Sequence, residues 1–191
     1  MGLNVGYLTS DRSEKGDECY TPYYAVTPIL KYLPKNKKIW CPFDEEWSAF
    51  YQTLKRKGYT VIRSALSEGK DFFTYEPDDY DIIVSNPPFS KKDQVIERLY
   101  ELGKPFMILL PLNTLQGKRR YKSFRKGIQI LAFDKGINYH TNSMEHYTKG
   151  NHFASAYYCR DVLPRDLILE ELIEYDEPLS TESANDEYLY L

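Results

Sequence analysis

Cysteine is scarce in this chain. There are three in 191 residues, Cys19, Cys41 and Cys159, an odd number set far apart. That excludes a disulfide framework and any paired-cysteine metal site. No apolar run reaches the ~18 residues that a transmembrane helix needs. The first thirty residues hold acids, tyrosines and prolines where a secretory signal would show a basic start and an apolar stretch. The expectation is an intracellular, cytoplasmic and reduced protein with no membrane partner and no metal. Basic charge is missing from the far end: from Asp166 to Leu191 there are nine acids and no Lys or Arg. Residues 1–165 thus hold 25 basic and 19 acidic side chains, and a mildly basic body carries an acidic tail. Such a body suits an anionic partner as well as it suits a mixed, solvated surface. The hydrophobic share of 42% and the charged share of 28% exclude a wholly disordered chain. Tyrosine is the residue in excess, at 18, and its rings fill cores or stack on flat ligands.

The pattern along the chain predicts one domain over 1–175. It begins with a flexible arm at 1–18 and a helical arm at 19–34, and an acidic, disordered tail follows at 176–191. In "YTPYYAVTPILKYLP", Thr21 is placed to cap a helix with Pro22 at its first position, and Pro28 kinks or restarts it. Strands are expected at 38–42, 59–65, 81–85, 105–112, 128–133 and 153–160. Asp44, Glu45 and Glu46 are expected to open a helix that Gly58 ends, and Ser90 with Asp93 to cap another that Gly103 ends. A terminal helix is expected at 165–175. Strands alternating with helices, with continuous apolar runs, predict an α/β sheet covered on both faces. The first four strands should be parallel and the last two antiparallel. The ends of the strands at 38–42 and 81–85 then fall where such sheets bind ligands.

"NPPF" directly after a core strand is the most informative segment. Pro87 and Pro88 hold the backbone extended and remove its N–H groups, so carbonyls are left to face a cleft. Asn86 supplies a side-chain acceptor and Pro87 a backbone one, and together they suit both hydrogens of an exocyclic amino group. Phe89 supplies a ring face for a planar base. An aryl amine is a poor nucleophile, and acceptors that draw on its protons enrich its nitrogen as the bond forms. "DIIVSNPPF" resembles the fourth motif of the S-adenosylmethionine-dependent amino-methyltransferases, a pattern of Asp/Asn/Ser-Pro-Pro-aromatic. "DECYTPYYAV" is similar to the segment that precedes the cofactor domain in N6-adenine methyltransferases, and "GKDFF" to the family's third motif. The matches span residues 18–112 in the family's order.

The resemblance implies a Rossmann-like methyltransferase sheet, S-adenosylmethionine as cofactor and methyl transfer to N6 of adenine in DNA. It implies Asn86, Pro87, Pro88 and Phe89 at the reacting base. It implies Tyr20, Thr21, Pro22, Cys41, Pro42, Phe43, Asp44, Asp71 and Phe72 at the cofactor. Asp71 would accept from the cofactor's adenine amino group, and Asp44 either meets its amino end or caps the next helix. RNA adenine, a protein glutamine amide, or a binding module that has lost the cofactor are the competing readings. Two places depart from the family. Where a glycine-rich turn is usual, "WCPFDEEWS" has no glycine, which resembles compact phage and prophage variants. The second strand ends in Arg63-Ser64, where an acid usually holds the ribose. The segment Lys118, Arg119, Arg120, Lys122, Arg125 and Lys126 is a candidate phosphate contact or a solvated helix. His140, His146 and His152 share a polar loop at a spacing too wide for a metal site.

Overall fold

The computed structural model describes residues 19–141 and 153–175. The N-terminal arm, the acidic tail and most of the polar loop, with His146 and His152, lie outside the described residues.

In chain order, β1 (Cys19–Tyr20) leads into α1 (Tyr23–Val26) and a 3-10 turn at Thr27–Tyr32. Strand β2 (Lys38–Cys41), helix α2 (Ala49–Arg56) and strand β3 (Thr60–Arg63) follow. Next come β4 (Ile82–Ser85), α3 (Lys92–Leu102) and β5 (Phe106–Pro111). The last part holds α4 (Lys118–Phe124), β6 (Gln129–Phe133), β7 (His140–Thr141), β8 (Ser155–Arg160) and β9 (Leu167–Glu170). Seven strands form one sheet in the order β3-β2-β4-β5-β8-β6-β9, while β1 and β7 make a separate two-stranded ribbon. Strands β2 to β5 are parallel, β8 runs against both of its neighbours, and β9 lies parallel to β6. The fold is therefore the expected Rossmann-like α/β sheet with an antiparallel pair, β6 and β8.

The apolar runs explain why the sheet is covered on both sides. All six residues of β5 are buried, a pattern that leaves no solvent face. On β8 two successive tyrosines point opposite ways. Tyr157 donates to the Ala25 carbonyl of α1 (2.7 Å) and meets the Phe50 ring of α2, whereas Tyr158 stacks on Phe124 of α4 at 5.8 Å. Gly58 (φ +77°) and Gly103 (φ +67°) end α2 and α3 in left-handed backbone.

Local signals misplace four features. The segment expected as a terminal helix at 165–175 carries β9 instead, because the open edge of β6 offers a ladder that helix propensity at four residues cannot match. Pro22, not Thr21, stands at the N-cap of α1, and Pro28 converts the rest of the arm into the 3-10 turn. Helix α2 starts only at Ala49 with Ser48 at its N-cap, so Asp44, Glu45 and Glu46 precede it as a loop. Ser90 falls inside a 3-10 turn, Phe89–Lys91, and α3 begins at Lys92. Lys91, not Ser90, stands at its N-cap, and the Asp93 carboxylate pairs with Arg120. Among the described residues no helix is long and apolar enough to cross a membrane.

Candidate functional site

The order of strands reverses beside β2: β3 lies on one side of it and β4 on the other. Loops leaving β2 and β4 therefore part at their carboxyl ends and leave a crevice. A cleft of about 380 Å³ opens there, within the roughly 300–1,000 Å³ usual for small-molecule sites. Its lining includes four segments far apart in sequence, Tyr20 to Tyr23, Pro42 to Glu45, Lys70 to Phe73 and Asn86 to Phe89, together with residues 47–50 and 65–67.

Asn86 follows the last residue of β4, and its Nδ2 donates to Thr21 Oγ1 at 3.0 Å. This bond ties two motifs 65 residues apart and orients the amide so that Oδ1 is its acceptor. It also explains why Thr21 does not cap α1. Pro87 is buried and Pro88 exposed, at φ −56° and ψ 124°, the extended geometry that the double proline dictates. Phe89 is backed edge-on by Phe153 at 5.4 Å and Tyr139 at 6.1 Å, so the ring is held by an aromatic wall.

Asp44 is 4% exposed and lines the cleft. Ser85, the fully buried last residue of β4, donates its hydroxyl to Asp44 Oδ2. Burial pushes the Asp44 carboxyl up to about 7 from an ordinary 3.8. The hydroxyls of Ser85 and Ser48 pull the other way, and the charge of Glu45 adds to the rise. Among the described residues no Lys or Arg pairs with it. Since α2 starts five residues later with Ser48 at its N-cap, Asp44 is not its cap.

Asp71 and Phe72 also reach the cleft. Asp71 Oδ1 accepts the Phe73 N–H at 3.0 Å, which closes a tight turn and leaves Oδ2 for other partners. Phe72 is 2% exposed and packs on Trp40 (5.5 Å) and Phe43 (4.8 Å). The absence of glycine after β2 does not close the crevice, because Pro42 is buried and the Phe43 ring turns onto Phe72. Tyr20 and Pro22 line the cleft. Cys41 does not: it is fully buried in β2, and burial drives its thiol well above the usual range.

The structure adds residues that the motifs did not single out. Glu45 lines the cleft with Oε1 accepting from Ser67 Oγ (2.5 Å) and Oε2 4.0 Å from Arg63 Nη1. Trp47 stands 43% exposed at the cleft, edge-on to Tyr20 at 4.9 Å. Lys70 and Lys91 are the cleft's basic side chains. Ser85 was legible only as the residue before the motif; its partner lies 41 positions away, beyond the reach of any local pattern.

The basic segment forms α4 and part of the turn after it, and none of its residues lines the cleft. Two of its cations have structural work. Arg119 grips both carboxylate oxygens of Glu97 at 2.7 and 2.5 Å, and Arg120 bonds Asp93 and the carbonyls of Thr114 (2.7 Å) and Gln116. These bonds clamp α4 to α3. Lys118, Lys122, Arg125 and Lys126 are exposed.

No protein-family model matches the chain, and no curated protein matches it.

Proposed function

We propose that the chain transfers a methyl group from S-adenosylmethionine to the exocyclic N6 amino group of adenine in DNA. The observation that supports this best is the meeting of four sequence-distant segments, "YTP", "PFDE", "KDFF" and "NPPF", on one cleft at the switch point of the sheet.

The residues present fit the cofactor. A buried carboxyl at Asp44, with hydroxyl donors and no paired cation among the described residues, suits an ammonium group. Glu45, fixed by Ser67, takes the diol-binding work that Arg63 at the end of β3 cannot do. Asp71 Oδ2 accepts from the adenine amino group over the aromatic floor of Phe72. When bound, the cofactor supplies an electrophilic methyl group. The chain's own part is alignment. Asn86 Oδ1 and the Pro87 carbonyl accept hydrogen bonds from the target amine, and Phe89 holds the base plane. The methylated nitrogen then releases one proton to solvent, and the demethylated thioether of the cofactor is the other product. A flipped nucleotide is required, since a stacked base cannot reach such a pocket.

Incubation with labelled cofactor and separate DNA, RNA and protein substrates tests the reading. Label in DNA adenine is expected. Label in RNA or in glutamine reassigns the substrate, and saturable cofactor binding without transfer to any of them turns the cleft into a binding module.

Helix α4 carries a second, separable prediction. Replacing Lys118, Lys122 and Lys126 with Gln is expected to weaken binding to all duplex sequences alike. It should reduce the slope of log K against log salt by ~0.9 for each phosphate that the variant no longer neutralises. Arg120→Ala is expected instead to lower the unfolding temperature, because it leaves Asp93 and two carbonyls without a donor. An unchanged salt slope in the triple variant makes α4 a solvated helix and nothing more.

A further inference from the structure

Strand β9 ends the sheet, and among the described residues no strand pairs with its outer side. Two backbone bonds fix which of its groups face that open edge. The Ile130 N–H donates to the Asp166 carbonyl at 2.7 Å, and the Asp134 N–H donates to the Glu170 carbonyl at 3.0 Å. Residues 166, 168 and 170 therefore turn their peptide groups toward β6. Residues 167 and 169, between them on the pleat, turn theirs outward. Side chains alternate as well. Ile168 is 6% exposed, while Leu167 and Leu169 stand 58% and 73% exposed. Natural edges are usually blunted by a charge or a proline within the strand. This one carries a single charge, Glu170 at its last position, which Lys31 pairs with, and its other nearby charges, Arg165, Asp166 and Glu171, are exposed at the flanks.

We propose that β9 is the seat of a symmetric dimer, formed when β9 of a second copy adds antiparallel to it about a two-fold axis at Ile168. The register follows from the pattern. An antiparallel pair can exchange N–H···O bonds only between residues whose peptide groups both face the seam. That restricts the axis to a residue position rather than a point between residues. With the axis at Ile168, Leu167 meets the partner's Leu169 and Arg165 meets the partner's Glu171, and the symmetry repeats each pair. An axis at Leu167 sets Leu169 against the partner's Arg165, and an axis at Leu169 sets Leu167 against the partner's Glu171. Only the first register matches apolar with apolar and cation with anion. On the other face it brings Glu170 near the partner's Asp166. That contact is relieved because Lys31 pairs with Glu170 at 2.7 Å and Tyr32 donates to it. An isologous seam of this kind is the usual geometry of homodimers. A second copy is therefore the occupant, because the edge is complementary to itself.

Sedimentation velocity on the full chain, from about 1 to about 200 µM, tests the proposal. A concentration-dependent dimer is expected. Leu169→Lys changes a solvent-facing side chain, so the fold is kept, as circular dichroism will verify, and the variant is expected to stay monomeric. Arg165→Glu alone and Glu171→Arg alone should each weaken association at least about tenfold, because symmetry counts every reversal twice. The two together should return it to within about threefold of the parent. A parent that remains monomeric at the highest concentration overturns the proposal. So does a dimer that survives Leu169→Lys, or a double charge reversal that restores nothing.

Discussion

Asn86→Ala is expected to reduce methyl transfer by about a hundredfold or more while leaving cofactor affinity within about threefold of the parent. The magnitude follows from deleting one preorganised hydrogen-bonding group aimed at the reacting centre, which typically costs ~10²–10³ in turnover. The split between turnover and affinity follows from what Asn86 touches. Its amide nitrogen is held by Thr21, so the acceptor oxygen is fixed before the target amine arrives. Its loss removes an interaction that strengthens only as the amine becomes nucleophilic. Thr21→Val is the control. It keeps Asn86 but frees the amide to rotate, and a smaller fall, about tenfold, is expected. Single-turnover transfer and calorimetry with the demethylated cofactor read the two quantities. Full transfer in Asn86→Ala would remove the residue from the chemistry.

What could be read in the sequence divides along a physical line. The core strands were legible because burial on both faces leaves a run of apolar residues, as at β5, and such a run needs no knowledge of its neighbours. The "NPPF" turn was legible because two prolines fix the backbone by themselves. What failed depended on distant partners. Strand β9 forms because β6 presents an edge, and nothing within residues 165–175 announces that. Ser90 fits a local N-cap pattern, yet Lys91 holds that position, and the Asp93 carboxylate pairs with Arg120, 27 positions further on. The same holds for the basic segment. Its charge was plain in the sequence, but only the packing of α4 on α3 shows that Arg119 and Arg120 are engaged by Glu97 and Asp93. At the cleft the contributing segments were legible and their neighbours were not. Asp44 read equally as a helix cap, and only the start of α2 five residues later excludes that role.

Asp44→Asn is expected to stabilise the protein without ligand and to damage its ligand binding, both by large factors. Folding raises the carboxyl from about 3.8 to about 7, chiefly by burial. Between those values the folded state holds a proton that the unfolded state has lost, so this group's contribution to stability falls as pH rises through the window. Above pH 7 the penalty is complete, of the order of 4 kcal/mol for a shift of about three units. Asparagine keeps the shape and an acceptor for the Ser85 hydroxyl and carries no charge. Parent and variant should therefore unfold alike near pH 4 and diverge as pH rises. At pH 8 the variant should melt several degrees higher. Binding runs the other way. The ionised carboxylate is the form that pairs with an ammonium group, so the parent's cofactor affinity should fall about tenfold per unit as pH drops below 7. The variant should bind at least about tenfold more weakly at pH 8 and show no such dependence. Thermal melts and calorimetric titrations at pH 5, 6, 7 and 8 on both proteins measure the two trends. Equal melting temperatures at pH 8 would show that the carboxyl is solvated rather than buried. An unaltered affinity in the variant would show that the cleft's cation, if it has one, sits elsewhere.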